Sequence, residues 1–371
     1  MSPHLPAFQR AVRQGDDGQT IIDNEAPIPS LPPGYVLVKT SAVAVNPSDY
    51  KISANFPLPG AYIGSDFSGT VVQLADDADP EDLRLGTVVC GAAFTFSPVH
   101  RLASGAFAEY VRARADLLLP VPPSSAGQDR IGRLEAATLG TAVSTCLLAL
   151  WSPDALGLPG TPDAPVLSEK PIPVLVYGGS TSTGTIAVQL LKLSGYDPIA
   201  TCSPRNFDLV RGRGASAVFD YSASDTVETI KAHTGGRLKY VLDCISDADS
   251  VAVCYGAIQR PGGRYASLEH VPDELLAKRR AVKPTFVLSS EVYNEEVKLG
   301  REWYDRPVSK EKHELAVRCI GMFQRLLDEG TLRPHPIEVL GNGLAGAVRG
   351  LEILASGGVS GKKLVAVVGQ D

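Results

Sequence analysis

A short apolar run, a glycine- and hydroxyl-rich loop and an amphipathic segment follow one another in the middle of this chain. Pro173–Tyr177 (PVLVY) is continuous and apolar, which is typical of a strand buried on both faces of a parallel sheet. Gly178 to Gly184 forms the loop, and Thr183–Leu193 places apolar side chains at helical spacing. Backbone N–H groups and the helix dipole at such a junction favour a pyrophosphate, although a turn that binds no ligand has the same composition.

The same alternation of strands and helices continues for about ninety residues after this loop. The predicted elements, in order, are DPIATCS, a helix near 206–213, AVFDY, a helix over 225–233, YVLDCIS and GGRYASL. Regular alternation predicts a doubly wound parallel sheet, with its ligand at the carboxyl ends of the strands.

A different pattern precedes the loop. Between Gly34 and Pro120 the sequence reads as short β segments separated by Gly, Pro or Asp, which predicts a compact, largely antiparallel barrel or sandwich. A helix is expected over 130–150 and a loop over 152–173. A length of 371 residues suits two domains with a cleft between them.

The C-terminal part has a less regular sequence pattern. The pattern blurs between Pro272 and Lys312, a helix is expected over 310–329, and HPIEVL and KKLVAVVG resemble strands that could return to the first domain. We therefore predict a first domain over 1–160 that is completed by 333–371, and a second domain over 161–332.

Composition excludes several classes of partner. The formal charge of -6, the pI of about 5.6 and the lack of long Lys/Arg runs give no electrostatic footprint for nucleic acid or an anionic membrane. No signal peptide is recognisable, and the longest apolar run, over 142–151, is too short to span a bilayer. Six scattered cysteines are typical of a reducing compartment. We expect a cytoplasmic protein whose partner is a small molecule or another protein.

The nicotinamide cofactor is predicted from the end of the strand that follows the loop helix. That strand does not end in an Asp or Glu, which would bind the ribose hydroxyls of NADH. Ser203 and Arg205 stand at its end instead, and their side chains can donate hydrogen bonds to the 2′-phosphate of NADPH. Tyr221, at the end of the next strand, is placed to contact the same phosphate. NADPH is therefore favoured over NADH, although a solvent-facing Arg205 and a core Tyr221 are the alternative interpretations. The usual dinucleotide-binding loop has the pattern G-x-G-x-x-G, and Thr181 stands in place of its second glycine.

Several motifs together identify a resemblance to a known family. They are NPSDYK (46–51), GSDFSG (64–69), YGGSTST, SGYDPIATCSPRNFDL, VFDY, LDCIS, GGRYASL and VSGKKL. The chain resembles the zinc-free medium-chain dehydrogenases and reductases, and within them the trans-acting enoyl reductases of fungal highly reducing polyketide synthases, the lovastatin-type partner proteins. This resemblance implies an α/β fold with a GroES-like β-rich catalytic domain and a Rossmann domain.

The resemblance also indicates that this chain has lost the family's catalytic zinc. In the alcohol dehydrogenase branch a Cys lies where Asn46 lies here, and a His-Glu pair lies where Ser65 and Asp66 lie; the four closely spaced cysteines of the structural zinc are also missing. Alcohol oxidation needs a Lewis acid for the alkoxide, whereas conjugate reduction produces a delocalised enolate that hydrogen-bond donors can hold. We therefore predict no metal and the reduction of an activated C=C bond.

The resemblance assigns roles to individual residues. The residues expected to line the NADPH site are Ser48, Asp49, Tyr50, Lys51, Gly178, Gly179, Ser180, Thr181, Ser182, Thr183, Ser203, Arg205, Asn206, Tyr221, Leu268, Val359 and Ser360. The residues expected near the acyl substrate are Thr145, Phe286, Val287, Leu288, Ser289 and Ser290. Lys51, Thr145 and Tyr50 are the candidate catalytic donors; a solvated loop lysine and a core or capping threonine are the alternatives for the first two.

The expected reaction passes a hydride to the β carbon of an enoyl thioester on the acyl-carrier domain of a polyketide synthase. Lys51 and Thr145 would hold the carbonyl oxygen or the carboxamide, and Lys51, Tyr50 or a water would protonate the α carbon. Two other functions stay open at this point: a stand-alone quinone or 2-alkenal reductase, and a non-catalytic NADPH-binding partner protein. The sequence does not distinguish a monomer from a homodimer.

Overall fold

The computed structural model describes residues 5–75, 83–123 and 131–369. The chain forms two compact units, Met1–Thr141 with Ser290–Asp371, and Ala142–Ser289. Its strands are β1 Phe8–Gln14, β2 Thr20–Pro27, β3 Tyr35–Ala44, β4 Asp66–Leu74, β5 Val88–Ala92, β6 Tyr110–Arg114, β7 Leu119–Pro120, β8 Pro173–Tyr177, β9 Asp197–Cys202, β10 Ala217–Asp220, β11 Tyr240–Asp243, β12 Gly263–Ser267, β13 Val282–Phe286, β14 Ile337–Leu340 and β15 Lys363–Val367.

The helices alternate with these strands, most regularly in the second unit. They are α1 Pro47–Asn55, α2 Pro98–Arg101, α3 Arg133–Ala136, α4 Gly140–Trp151, α5 Ser182–Leu193, α6 Phe207–Gly212, α7 Thr226–Thr234, α8 Ala248–Ala257, α9 Asp273–Leu276, α10 Lys310–Asp328 and α11 Gly343–Ala355. The single helix predicted over 130–150 is two helices, α3 and α4, and Arg130 lies outside the described residues.

The first unit is built on a mostly antiparallel sheet. Its strands lie in the order β14-β15-β3-β4-β5-β7, and β6 pairs with β3. The C-terminal strand β15 runs antiparallel to β3, and β14 runs parallel to β15, so the end of the chain completes the N-terminal sheet. Aliphatic side chains of these strands and of α11 form its core, which Tyr50 and Val359 border. The predicted GroES-like, β-rich domain is confirmed.

The second unit is a parallel sheet with helices between its strands. The strand order is β10-β9-β8-β11-β12-β13, and every neighbouring pair is parallel. This is the 3-2-1-4-5-6 order of a dinucleotide-binding fold, in which the direction of winding reverses beside the first strand. The predicted doubly wound sheet is confirmed, and β13 adds a sixth strand within the stretch where the sequence pattern blurred.

The two units divide the chain at 141/142 and 289/290, whereas we predicted boundaries at 160/161 and 332/333. Residues after 142 belong to the second unit, where Arg264 Nη1 donates to Leu156 O at 3.0 Å. Residues after 290 belong to the first unit, because Tyr293 OH donates to Ala92 O at 2.7 Å and His313 pairs with Asp116 at 3.2 Å.

Within the three described segments, none of the helices combines the length and the apolar character that a membrane crossing requires.

A prediction for the first unit concerns Gly69, which lies on β4 opposite a β-bulge in β3. A Cβ atom at this position would lie 2.2 Å from the carbonyl oxygen of Lys39 and 2.7 Å from a methyl group of Val38. Gly69→Ala should therefore lower the free energy of unfolding by about 1–3 kcal/mol, measured by urea denaturation with far-UV circular dichroism. Gly212→Ala in α6, where no atom lies within 4 Å of the added Cβ, is the matched control and should be neutral or mildly stabilising. Equal losses in both variants would contradict this packing account.

Candidate active site

The loop between β8 and α5 has glycines where no side chain fits. Gly178 has φ +80, which L residues rarely adopt, and its N–H lies 3.3 Å from the hydroxyl of Thr201. A Cβ on Gly179 would lie 2.7 Å from the Cβ of Ala200, and one on Gly184 would lie 2.3 Å from the carbonyl oxygen of Gly178. The loop is therefore folded tightly against the first turn of α5, as a loop that binds a pyrophosphate must be.

The hydroxyl groups of this loop have different partners. Thr181 Oγ1 accepts from the N–H of Gly184 at 3.0 Å and donates to the carbonyl of Gly178 at 2.8 Å, so it caps α5. Ser180 Oγ accepts from Asn206 Nδ2 at 3.3 Å. Ser182 Oγ is buried and has no hydrogen-bond partner within the described segments. A buried, unpaired hydroxyl at the start of α5 fits a site for a phosphate oxygen.

The carboxyl ends of β9 and β10 bring together residues predicted to contact the 2′-phosphate. Ser203 Oγ donates to Tyr221 OH at 3.4 Å, and Tyr221 is 45% exposed, so it is not a core tyrosine. Arg205 follows Ser203 on a 3₁₀ turn, Pro204–Asn206, and is exposed. These side chains can therefore reach an anion bound at the strand ends.

Sequence reasoning missed Asp243, which ends β11 and is fully buried. Its carboxylate accepts hydrogen bonds from the N–H groups of Ile245 and Ser246 at 2.9 Å each, from Ser250 Oγ at 2.6 Å and from Tyr265 OH at 2.8 Å. Burial raises the pKa of this carboxyl group, and the hydrogen bonds oppose that shift.

Asp243 shapes the turn where the nicotinamide half of a dinucleotide binds in this fold. Ser246 adopts φ +65 under its influence and accepts the N–H of Leu268, a predicted cofactor contact, at 3.0 Å. The motif LDCIS, an acid at the end of a buried strand, was the signal that could have identified this residue.

Helix α1 of the first unit carries Lys51 and Tyr50. Lys51 is partly exposed, and Tyr50 packs its ring against the core of this unit. Asp49, which we predicted at the cofactor, is 4% exposed, and both of its oxygens are used within this unit: Oδ2 accepts from Asn46 N and Oδ1 accepts from Ser65 Oγ, at 2.8 Å each. These contacts fix the start of the helix and therefore the position of Lys51.

A buried lysine contacts two of the residues that stand where zinc-dependent relatives were expected to have ligands. Lys363 Nζ donates to Asp66 Oδ2 at 2.5 Å and to Asn46 Oδ1 at 2.9 Å. Lys363 is 5% exposed, and Asp66 is fully buried. Among the residues of 5–75, 83–123 and 131–369, no group of three His, Cys, Asp or Glu side chains is placed to hold a metal ion.

The remaining predicted residues are distributed over both units. Thr145, on α4, is 7% exposed. Val287 and Leu288 are buried directly after β13, and Phe286 is partly buried. Ser290 is also buried, and its hydroxyl has no partner within the described parts of the chain. The other residues are Ser48 and Thr183, which are partly exposed, Ser289, which begins a 3₁₀ turn, and Ser360, which is exposed after Val359.

Comparisons with known proteins agree with this architecture. The family profile of the alcohol dehydrogenase GroES-like domain matches residues 32–123, and that of the zinc-binding dehydrogenase matches residues 182–300. The quinone oxidoreductase of Coxiella burnetii has the same fold, with a TM-score of 0.68 and 24% identity over 98% of this chain and 99% of that chain. The chain thus belongs to the medium-chain dehydrogenases and reductases, which are nicotinamide-dependent oxidoreductases.

Two curated relatives define its place in that family. The trans-enoyl reductase TwmE of Talaromyces wortmannii is 68% identical, over 98% of this chain and 99% of the relative. The trans-enoyl reductase poxP of Penicillium oxalicum is 44% identical, over 99% and 95%. The chain is therefore a member of the fungal trans-enoyl reductases, an enoyl-reducing oxidoreductase, and the predicted resemblance is confirmed.

A pH prediction follows from Asp49. Burial raises its pKa to about 7, against the hydrogen bonds from Asn46 and Ser65. Because the folded protein keeps a proton that the unfolded chain loses near pH 4, stability from this group is present at low pH and is lost as the pH rises towards about 7. The free energy of unfolding of the natural protein should therefore fall relative to Asp49→Asn between pH 5 and pH 8. A constant difference between the two proteins over this range would show that Asp49 does not titrate there.

Proposed function

We propose that this protein reduces the C=C bond of an α,β-unsaturated acyl thioester carried on the acyl-carrier domain of a highly reducing polyketide synthase, with NADPH as the reductant, in the cytoplasm. The observation that carries the proposal is the match to trans-enoyl reductases over almost the whole chain, with the dinucleotide loop intact. The proposal places the reaction in the assembly of a secondary metabolite.

The choice of NADPH is supported by the residues at the carboxyl ends of β9 and β10. Ser203, Arg205 and Tyr221 would hold the 2′-phosphate, and no acidic side chain ends β9. Ser182 would donate its unpaired hydroxyl to the pyrophosphate, and the turn that Asp243 organises would support the nicotinamide half. When bound, NADPH supplies the hydride.

In the proposed chemistry, the β carbon of the enoyl group gains the hydride, and the electron pair of the double bond moves to the thioester oxygen as an enolate. Lys51 and Thr145 would donate hydrogen bonds to that oxygen or orient the carboxamide. Lys51 would then pass a proton to the α carbon and regain one from water, with Tyr50 or a bound water as the other possible source of that proton. Apolar residues 286–288 would hold the acyl chain.

The cofactor assignment predicts the behaviour of Arg205→Ala. Loss of charge-assisted hydrogen bonds to the 2′-phosphate should weaken NADPH binding by about 10- to 100-fold and leave the weaker binding of NADH unchanged, as measured by fluorescence titration. Arg237→Ala is the matched control, since this exposed arginine precedes β11 at the opposite end of the strand. Equal losses for NADPH and NADH would remove Arg205 from the phosphate site.

The substrate assignment predicts the behaviour of Lys51→Ala. The natural protein should oxidise NADPH rapidly with a crotonyl or 2-hexenoyl pantetheine thioester, and Lys51→Ala should lower kcat by about 10²-fold or more, since it removes a general acid. NADPH affinity should stay within about twofold, because the charge-assisted contacts to the phosphates would supply most of the binding free energy and Lys51 would add at most one contact at the carboxamide. Lys39→Ala, an exposed lysine on β3, serves as the control.

Two results would contradict the proposed function, and a third would contradict the role of Lys51. Faster turnover of free quinones or 2-alkenals than of pantetheine thioesters would indicate a stand-alone reductase. NADPH binding without turnover of any enoyl thioester, including a carrier-bound one, would indicate a non-catalytic partner protein. If Lys51→Ala turned over enoyl thioesters as fast as the natural protein, Lys51 would have no part in the mechanism, and the proposed substrate class would be unaffected.

A further inference from the structure

Lys363 is a buried cation whose hydrogen bonds are all made inside the first unit. Besides Asp66 Oδ2 and Asn46 Oδ1, its Nζ lies 3.4 Å from the carbonyl oxygen of Thr138. A lysine ammonium has three donors and no acceptor, so the three oxygen atoms satisfy it completely. One side chain of β15 therefore links β4, the residue before α1 and the residues before α4.

Asp66, which Lys363 holds, in turn binds the start of α4. Its Oδ1 accepts from both the N–H and the hydroxyl of Thr141, at 2.6 and 2.7 Å, while Oδ2 accepts from Lys363 and from Asn46 Nδ2. Thr141 lies in the first turn of α4, and Thr145 follows it by four residues on the same face of that helix. The carboxylate thus holds the first turn of α4.

Asn46 connects Lys363 to the start of α1. Its side chain bridges Lys363 and Asp66, while its backbone N–H is held by Asp49 in the first turn. Lys51 lies one turn further along this helix. Because these hydrogen bonds hold the residue that precedes α1, the helix cannot slide or rotate without breaking the buried network.

A buried ion pair is seldom the most stable way to fill such a space. Taking two charges out of water often costs more free energy than their mutual attraction returns. Well-packed apolar residues can replace such a pair with no loss of stability. A polar network that fixes a helix start has a different use, which is to hold the side chains on that helix in one orientation.

We propose that Lys363 is a positioning residue that holds the beginning of α1, and through it Lys51, in the orientation that the reaction needs. The inference rests on the proposed enoyl reduction. It assigns Lys363 no contact with substrate or cofactor.

The experiment separates positioning from stabilisation by a pair of variants. Lys363→Met removes the cation and leaves Asp66 buried without its counter-charge, so its Tm should fall clearly. Asp66→Asn together with Lys363→Met removes both charges, so most of the loss in Tm should be regained. In both variants the ammonium no longer holds Asn46, and kcat with crotonyl pantetheine should stay about 10- to 100-fold low while the Kd for NADPH changes less than about twofold.

Two further variants complete the design. Lys362→Met is the matched control, since Lys362 is a half-exposed neighbour whose partner Glu338 lies 3.6 Å away on the surface, and all its parameters should match the natural protein. Asn46→Ala keeps the ion pair and removes the link to α1. It should show the same loss of kcat, and it decides the question if the Lys363 variants do not fold.

Lys51 itself gives a readout that does not depend on turnover. Reductive methylation with 13C-formaldehyde labels the lysines, and Lys51→Arg identifies the Lys51 signal in the NMR spectrum. That signal should shift in Asn46→Ala and in the double variant, and should not shift in Lys362→Met. A double variant that regains both Tm and kcat, or an unshifted Lys51 signal in Asn46→Ala, would overturn the inference. If the natural protein reduces no enoyl thioester, the proposed function fails, and the Lys51 signal still tests the positioning.

Discussion

Two carboxyl groups and one ammonium are buried in the first unit, and each of the four carboxyl oxygens accepts at least one hydrogen bond. Asp66 accepts four hydrogen bonds, Asp49 accepts two, and Lys363 donates three. A buried charge without such partners would cost several kcal/mol. This requirement explains why the C-terminal strand β15 must return to the N-terminal sheet, and why the motifs NPSDYK and GSDFSG occur together with GKKL in one chain.

The second unit meets a different requirement, since it must present donors to an anion without a metal or a lysine in its loop. Tight glycine contacts at Gly178 and Gly184 bring the backbone to the start of α5, and Thr181 caps the helix in place of a middle glycine. Ser182 is left with a buried hydroxyl that a phosphate oxygen would satisfy. In the proposed reaction the second unit would hold the nucleotide, and the first unit would present Lys51 on α1.

The periodicity of apolar residues in the sequence predicted most of this fold. It predicted little of the buried hydrogen-bond network of Lys363, Asp66 and Asn46. The strand and helix around the loop, 173–193, were predictable because burial on two faces and an amphipathic stripe both leave a pattern in the sequence. Strand β13 was missed because it lies at the sheet edge, half exposed, with Pro284 at its centre. Lys363 was missed because its partners Asn46, Asp66 and Thr138 lie far away in sequence, and no periodicity records such contacts. Asp243 was missed although most of its partners are near in sequence, because the motif LDCIS was interpreted as a strand end and not as a buried hydrogen-bond acceptor.

The most direct test of the account follows the hydride itself. The protein would be incubated with NADPH deuterated at the transferred C4 position and with crotonyl pantetheine, and the saturated product would be examined by mass spectrometry and NMR. The account predicts one deuterium in the butyryl product, bound to the β carbon, and a solvent-derived proton at the α carbon. Deuterium at the α carbon, or a saturated product without deuterium, would contradict hydride delivery to the β carbon and with it the proposed reaction.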